Sequence, residues 1–366
     1  MYKQFYNLKH DPFRLTPDPA FICMTPQHRE ALSGLVYSVC TRPGLTVLVG
    51  EVGTGKTTLL YTLMGLLEKR KFVTGMCTNP TLTREEFYDF LMAKLGVECT
   101  SSLKSRQLIA LQETLGRNRA AGRPSVLIVD EAQKLSAELL EEIRLLMNLE
   151  TPSEKLLEII MAGQPELMEI LRRPQLRQIK QRVSYFCKLE PLSLTDLRDY
   201  LDHRLARAGL PQQNLFSEVA IRCIYEFTNG IPRLVNSLCD STLQIGFALK
   251  SPEITISMIG EAAADLDLIP NFVSENLPSN GNQPISASAS PQPGPKGVDD
   301  HRSPSGSALE LDQNKKGDGK SGPSAPAVPD VGGNGQGGSA IRIPLEGYET
   351  RQKSLGFLAG LLDRWR

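Results

Sequence analysis

The residues best placed to do chemistry lie in the stretch GEVGTGKTT, between an apolar run and a leucine-rich segment. It matches G-x-x-x-x-G-K-[ST], the spacing of a loop whose backbone N–H groups surround a phosphate. Glycines tolerate positive φ there, and the helix beginning near Lys56 points its positive dipole end at the same anion. We expect Lys56 to reach the β- and γ-phosphates and the Thr57 hydroxyl to ligate Mg²⁺. The predicted nucleotide-binding residues are Gly50, Glu51, Val52, Gly53, Thr54, Gly55, Lys56, Thr57 and Thr58.

A second motif, SVLIVDEAQ at 125–133, narrows the chemistry. Asp130 ends an apolar strand, where a carboxylate can hold the magnesium shell. Glu131 follows at once, placed to orient or deprotonate an attacking water. A hydrolase needs such an acid and a small-molecule kinase does not, so the pattern favours hydrolysis. The alternative is that Glu131 is a solvated acid capping the next helix.

Three further positions extend this constellation. Gln164 follows the fourth predicted strand, where its side chain could touch the γ-phosphate or the water. Arg182, with Arg177 as the alternative, precedes the fifth strand and could project into a neighbouring subunit's site as an arginine finger. Arg233 begins a helix further on and could reach back to the γ-phosphate. Each arginine could instead be an ordinary surface or salt-bridge residue.

Short apolar runs alternate with helical periods along the first half of the chain, and this indicates a parallel sheet covered on both faces. After Pro191 the pattern becomes helical only, which predicts a separate helical unit. The five predicted strands span 45–50, 72–77, 125–130, 157–163 and 183–189.

The C-terminal part of the sequence changes character. Beyond Pro270 it is rich in Pro, Gly and Ser, a composition that predicts a disordered linker. The last segment regains a helical period and predicts a short amphipathic helix that docks on a partner or a membrane surface, folds back on its own domain or stays frayed. The predicted units are an α/β nucleotide-binding domain with the N-terminal segment (1–190), a helical lid (191–268), the linker (269–340) and the terminal helix (341–366).

Composition leaves the partner open. Lys plus Arg and Asp plus Glu both number 41, so bulk charge singles out neither nucleic acid nor an anionic membrane. The N-terminus lacks the basic start and long apolar core of a signal peptide. No apolar run approaches the ~20 residues that a helix needs to cross a bilayer. We therefore expect a cytoplasmic protein without a transmembrane segment, peripheral to the inner membrane at most.

Together these motifs resemble those of the AAA+ ATPases, with Walker A at 50–57, Walker B at 126–131, then sensor 1, arginine finger and sensor 2 in chain order. Residues 1–268 look like the general secretion pathway ATPases of the ExeA/GspA type, on the opening MYKQFYNLKHDPFRLTPDPAFICMTPQHREAL and on GEVGTGKTT, DEAQ and AGQPEL. The resemblance implies an ATP-hydrolysing P-loop fold with sheet order 5-1-4-3-2, a helical lid over the nucleotide and assembly into a ring.

Two expectations concern the N-terminal part. In a fold of this type its aromatic and proline residues would lie beside the adenine pocket; equally, they could simply pack the segment onto the core. His28, at the start of a helical period, is expected to be a surface or capping side chain rather than a ligand. The aromatic and proline residues are Phe5, Tyr6, Pro12, Phe13 and Pro17.

Three functions compete. The first is a Mg²⁺-dependent ATPase acting as motor or switch for an envelope-associated secretion or polysaccharide-export system, with a protein partner recruited through the C-terminal helix. The second is a DNA-associated AAA+ ATPase of the transposition-helper or origin-recognition type, which the arginine-rich segments 117–123 and 172–182 keep open. The third, a non-enzymatic scaffold, does not explain why Lys56, Thr57 and the acidic pair Asp130–Glu131 are all present.

Overall fold

The structure is a computed structural model that describes residues 2–41, 44–210 and 215–270. The predicted linker beyond Pro270 and the predicted C-terminal helix lie outside these residues.

A parallel sheet forms the centre of the molecule. Its five strands within the described residues run in the order β2-β3-β4-β1-β5, which confirms the predicted order. Every residue of β1, β3 and β4 is buried, because helices cover both faces. The strands are β1 (Leu45–Gly50), β2 (Val73–Cys77), β3 (Ser125–Val129), β4 (Leu157–Gly163) and β5 (Val183–Leu189).

Helices alternate with the strands and then continue alone. The N-terminal segment contains α1 (Tyr2–Phe5). The α/β part contains α2 (Pro26–Thr41), α3 (Lys56–Lys69), α4 (Arg84–Leu95), α5 (Lys104–Ala120), α6 (Ala137–Leu146), α7 (Glu166–Leu171) and α8 (Arg177–Lys180). The lid contains α9 (Leu194–Arg207), α10 (Glu218–Thr228), α11 (Pro232–Ala248) and α12 (Ile256–Asp265).

Strand alternation sends side chains to two separate hydrophobic layers. In β1, Leu45, Val47 and Val49 belong to one hydrophobic cluster with buried side chains of α4 to α8, whereas Leu48 belongs to another with side chains of α2 and α3. The strand is therefore apolar on both faces and fixed between two helical layers. This rigidity holds the ends of the strands, where the predicted chemistry lies.

The lid has a hydrophobic core of its own, and the N-terminal segment belongs to it. Tyr6, Phe13 and Phe21 are buried together with the side chains of α9 to α12. The Tyr2 hydroxyl also donates to Asp240 Oδ1 of α11 over 2.6 Å. The prediction that groups this segment with the α/β domain (1–190) is therefore wrong about its packing: its aromatic side chains find apolar partners on the lid.

The joint between sheet and lid depends on a glycine. Gly230, between α10 and α11, has φ +68° and its carbonyl accepts from the Leu192 N–H over 2.9 Å. A Cβ at this position would lie 2.0 Å from the Leu192 carbonyl oxygen. Only glycine allows the lid to approach the chain leaving β5 so closely.

We predict that Gly230→Ala lowers the free energy of unfolding more than Gly96→Ala. Gly96 has nearly the same φ, +67°, but no heavy atom lies within 4 Å of its Cβ position. Both changes carry the left-handed penalty of about 1–2 kcal/mol, and only Gly230→Ala adds an overlap costing about 1–3 kcal/mol. Urea unfolding of both variants measures the difference; equal losses would contradict the proposed joint.

Candidate nucleotide site

The loop between β1 and α3 has the backbone of a phosphate cradle. Gly53 and Gly55 adopt positive φ of 81° and 97°, and Gly55 precedes α3 without a side-chain cap on the helix N-terminus. The first N–H groups of a helix have no intrahelical partner and suit an anion. A Cβ on Gly50 would lie 2.5 Å from the Leu189 carbonyl oxygen, so β1 and β5 leave no room for a side chain there.

Lys56 extends back across this loop. Its side chain is buried, and Nζ donates to the carbonyl oxygens of Gly50 and Glu51 over 2.7 and 2.8 Å. Burial lowers the pKa of Lys56, while the nearby Glu131 and Asp130 carboxylates oppose that shift. The loop therefore encloses a largely desolvated amine, which is electrostatically suited to a phosphate.

Thr57 and Asp130 join two strand ends across the sheet. The Thr57 hydroxyl donates to Asp130 Oδ2 over 2.6 Å, and Oδ1 accepts from the Glu131 N–H over 2.9 Å. Asp130 is only 2% exposed, and its N–H is held by the Cys77 carbonyl of β2. A hydroxyl and a carboxylate are hard oxygen donors of the kind that Mg²⁺ prefers, so the pair fits that ion.

Glu131 is held in an unusual backbone conformation and by two amides. Its φ of 52° lies in the left-handed region, which is uncommon for a residue other than glycine. Its Oε2 accepts from Gln133 Nε2 over 2.8 Å and from Gln164 Nε2 over 3.4 Å. Partial burial raises the pKa of Glu131, but these hydrogen bonds and Lys134 outweigh it and leave the pKa below its ordinary value. The carboxylate is therefore ionised and able to accept a proton near neutral pH.

Gln133 links the ends of β3 and β4. Its Oε1 accepts from the Gln164 N–H over 3.1 Å, while its amide nitrogen holds Glu131. Gln164 lies just past β4 and its side chain reaches Glu131; its predicted contact with the γ-phosphate or the attacking water stays a prediction. Gln133 was missed, although it stands within the DEAQ motif.

The lid contacts the phosphate loop directly. The Arg233 N–H, in the first turn of α11, donates to the Gly53 carbonyl over 3.1 Å. The Arg233 side chain lines the same cavity as Lys56, Thr57 and Glu131. The structure thus brings together residues 52–58 of the loop, Glu131 and Arg233 around one cavity, whereas Gly50 and Glu51 do not line it.

The N-terminal segment and the lid form the other wall of this cavity, which sequence reasoning largely missed. Arg204 of α9 is buried and donates to the Pro12 carbonyl, the Arg14 carbonyl and the Tyr200 hydroxyl. Its guanidinium also lies 5.5 Å from the Phe21 ring centroid. Of the N-terminal aromatic and proline residues, Pro17 lines the cavity, and Phe5, Tyr6 and Phe13 pack in the lid core. The wall residues are Arg14, Pro17, Phe21, Ile22, Cys23, Tyr200, Arg204 and Asn236.

His28 also lines the cavity, and the expected surface position is wrong. The side chain is 5% exposed and adjoins the phosphate loop instead of facing solvent. Its position in the first turn of α2 gave a capping signal, but the proximity of α2 to the loop depends on the tertiary fold.

Arg182 and Arg177 lie away from this cavity. Arg182 immediately precedes β5, at the amino edge of the sheet, where it shares a small depression with Lys155 and Gln181. The phosphate loop, between β1 and α3, lies at the opposite, carboxyl edge of the sheet. Because β5 has seven residues, the two edges are separated by about 20 Å. Neither arginine reaches this chain's own cavity.

Among residues 2–41, 44–210 and 215–270 there is no helix with the length and apolar character needed to cross a bilayer.

Comparison with known proteins agrees with the fold and the loop. Residues 40–171 match the family described as AAA domain. This part of the chain is an AAA domain. Over 267 residues the chain is 38% identical to General secretion pathway protein A of Aeromonas hydrophila, a match that covers 73% of this chain and 48% of that protein. The chain thus matches about half the length of this relative.

Solved structures of AAA+ proteins share the fold. Cdc6p from Pyrobaculum aerophilum superposes with a TM-score of 0.53 and 19% identity, covering 72% of this chain and 70% of its own. Drosophila ORC bound to DNA gives a TM-score of 0.55 and 16% identity, covering 73% and 66%. At such identities the likeness concerns the fold alone, a parallel P-loop sheet with a helical lid.

Proposed function

We propose that this protein binds ATP with Mg²⁺ and hydrolyses it to ADP and phosphate. The observation that supports this most strongly is the convergence on one cavity edge of a buried amine, a hydroxyl–carboxylate pair and an ionised acid. They are supplied by Lys56, by Thr57 with Asp130, and by Glu131. An anion cradle alone would explain binding, but not the acid fixed beside it.

Each residue has a defined role in this proposal. Lys56 and the loop N–H groups bind the phosphates, and Thr57 with Asp130 would hold Mg²⁺. The metal, when bound, supplies positive charge that offsets the charge developing on the phosphates. Glu131 accepts a proton from the attacking water, and the amides of Gln133 and Gln164 fix the carboxylate for that transfer.

Glu131→Gln tests the water-activating role. The amide keeps the shape but cannot accept the proton, so we expect kcat to fall about 10²- to 10⁴-fold while ATP affinity is retained. Phosphate release and nucleotide titration measure the two quantities. Glu138→Gln, which changes an exposed acid on α6, is the matched control and should behave as the wild type. Normal turnover by Glu131→Gln would refute this assignment.

We further propose that a neighbouring copy completes each site, as in a ring. Arg182 stands at the edge of the sheet remote from its own cavity, a position that supports action on a second subunit. Arg177 in α8 is the alternative finger. A guanidinium supplied in this way stabilises the charge of the transition state and contributes about 10³- to 10⁵-fold to the rate.

Mixing two inactive variants tests this arrangement. The two variants are mixed. The site of an Arg182→Ala subunit keeps its own Glu131, and a Glu131→Gln neighbour can supply Arg182 to it. We expect each variant alone to be inactive and an equal mixture to recover about a quarter of wild-type turnover, by random pairing at the interfaces. Arg177→Ala in place of Arg182→Ala distinguishes the two candidates. No recovery with either arginine variant would contradict a finger in trans.

The pathway we propose is envelope-associated: the ATPase acts as motor or switch for a secretion or polysaccharide-export system. The support is the 38% identity to General secretion pathway protein A. We place the protein in the cytoplasm, peripheral to the inner membrane, with the C-terminal segment 341–366 as the predicted partner contact.

A DNA-associated role is the second candidate, favoured by one feature of the surface. Both arginine-rich segments end at the amino edge of the sheet, since Arg123 precedes β3 and Arg182 precedes β5. Only one arginine of the first segment has a carboxylate partner among the described ion pairs, Arg119 with Glu154. The arginine side chains at this edge could neutralise the phosphates of a nucleic-acid backbone.

Duplex DNA titrated at 50 and 200 mM salt tests the second candidate. Binding that depends on several phosphate contacts weakens about 10³-fold or more over this range. An affinity that falls in this way, and falls further in an Arg117→Ala, Arg123→Ala double variant, would support DNA binding. If the protein hydrolyses ATP but shows no DNA binding even at 50 mM salt, the secretion proposal is favoured.

A further inference from the structure

His28 is fixed on one side by the residue that caps its own helix. Thr25 precedes α2, and its hydroxyl oxygen accepts from the His28 N–H over 3.3 Å. The same hydroxyl lies 2.7 Å from His28 Nδ1, and both side chains are 5% exposed. The ring therefore has little freedom to rotate, and its other edge has a defined direction.

That other edge faces the phosphate loop. Nε2 lies 3.5 Å from the position that a Cβ on Gly55 would occupy, and the ring is hydrogen-bonded to the Thr54 main chain. Burial lowers the pKa of His28, with the Thr54 contact opposing the shift, so the ring is neutral near pH 7. Because the Thr54 contact favours the protonated ring, the main-chain group it involves is an acceptor, the Thr54 carbonyl. With Nε2 donating to this carbonyl, the Thr25 hydroxyl is left to donate to Nδ1.

A hydrogen bond to this carbonyl has a consequence across the peptide plane. The Thr54 carbonyl and the Gly55 N–H belong to one trans peptide, in which the two groups point in opposite directions. Holding the carbonyl toward α2 therefore turns the Gly55 N–H toward the cavity. Because Gly55 has φ of 97° and no Cβ, its own backbone preferences do not fix this orientation.

We propose that His28 is a positioning residue for nucleotide binding: it orients the Thr54–Gly55 peptide so that the Gly55 N–H can donate to a phosphate oxygen. The inference rests on the proposed ATP binding and adds a residue outside the Walker motifs to it. His28 acts through the loop and exchanges no proton with the substrate. Thr25 supports it by holding the ring.

The test compares His28→Leu, which keeps bulk without an N–H, with His28→Gln, which keeps a donor. Thr25→Val removes the hydroxyl that orients the ring. The measurements are the Kd of Mg-ATP and of ADP, KM and kcat for hydrolysis, and the melting temperature of the nucleotide-free protein. Because ADP retains the phosphate nearest the loop amides, both nucleotides should report the change.

For His28→Leu we expect both Kd values and KM to rise about 10- to 100-fold, the effect of losing one hydrogen bond to a charged acceptor. The kcat should change little, since this contact is present before and during the reaction. His28→Gln should recover most of the lost affinity, and Thr25→Val should show an intermediate loss. A residue that only fills space would give equal behaviour in the Leu and Gln variants.

Several results would overturn the inference. His28→Leu with both Kd values within twofold of the wild type would do so, as would a Gln variant no better than Leu. If His28→Leu does not fold, Thr25→Val against His28→Gln decides: equal, wild-type affinities in both would overturn it. A wild-type protein that binds no nucleotide refutes the proposed function itself, so the two failures are distinguishable.

Discussion

The hydrogen bond between Thr57 and Asp130 is the contact on which the candidate site depends. It joins the start of α3 to the end of β3 over 2.6 Å, although β4 lies between β1 and β3 in the sheet. The contact forms because parallel strands bring their carboxyl ends to one edge, where a loop and an acid from distant parts of the chain meet. Both strands are fully buried, so the edge is rigid.

The lid turns this edge into an enclosed cavity. Its core includes the N-terminal segment, and the buried Arg204 fastens that segment through two carbonyl oxygens without a carboxylate partner among the described contacts. At the other end, the Arg233 N–H bonds the phosphate loop itself through Gly53. This hydrogen bond ties the loop between β1 and α3 to the first turn of α11.

Sequence reasoning predicted most of the sheet and the contiguous part of the site. The strands at 45–50, 157–163 and 183–189 match the structure at both ends. The predicted strand 125–130 ends one residue too late: Asp130 lies just beyond β3, and its carboxylate accepts from the Thr57 hydroxyl.

The remaining wall could not be predicted from local patterns. His28 and Arg204 carry no distinctive spacing, and their roles depend on how α2 and α9 dock. The N-terminal aromatic residues are close to the α/β domain in sequence, which is why the prediction groups them with it. In the fold their side chains are buried against the lid. Sequence motifs identify functional residues that are close together in the chain. Residues that enter the site through tertiary contacts are not part of a local motif, so they could not be predicted in this way.

In the proposed function, the loop around Lys56 binds a magnesium-bound triphosphate. The most direct test is equilibrium binding of Mg-ATP to the wild type, to Lys56→Met and to Lys69→Met, an exposed lysine at the far end of the same helix. Removing the buried amine should weaken binding about 100-fold or more, while Lys69→Met binds as the wild type does. A wild-type protein that does not bind Mg-ATP, or a Lys56→Met variant that binds it equally well, would contradict this account.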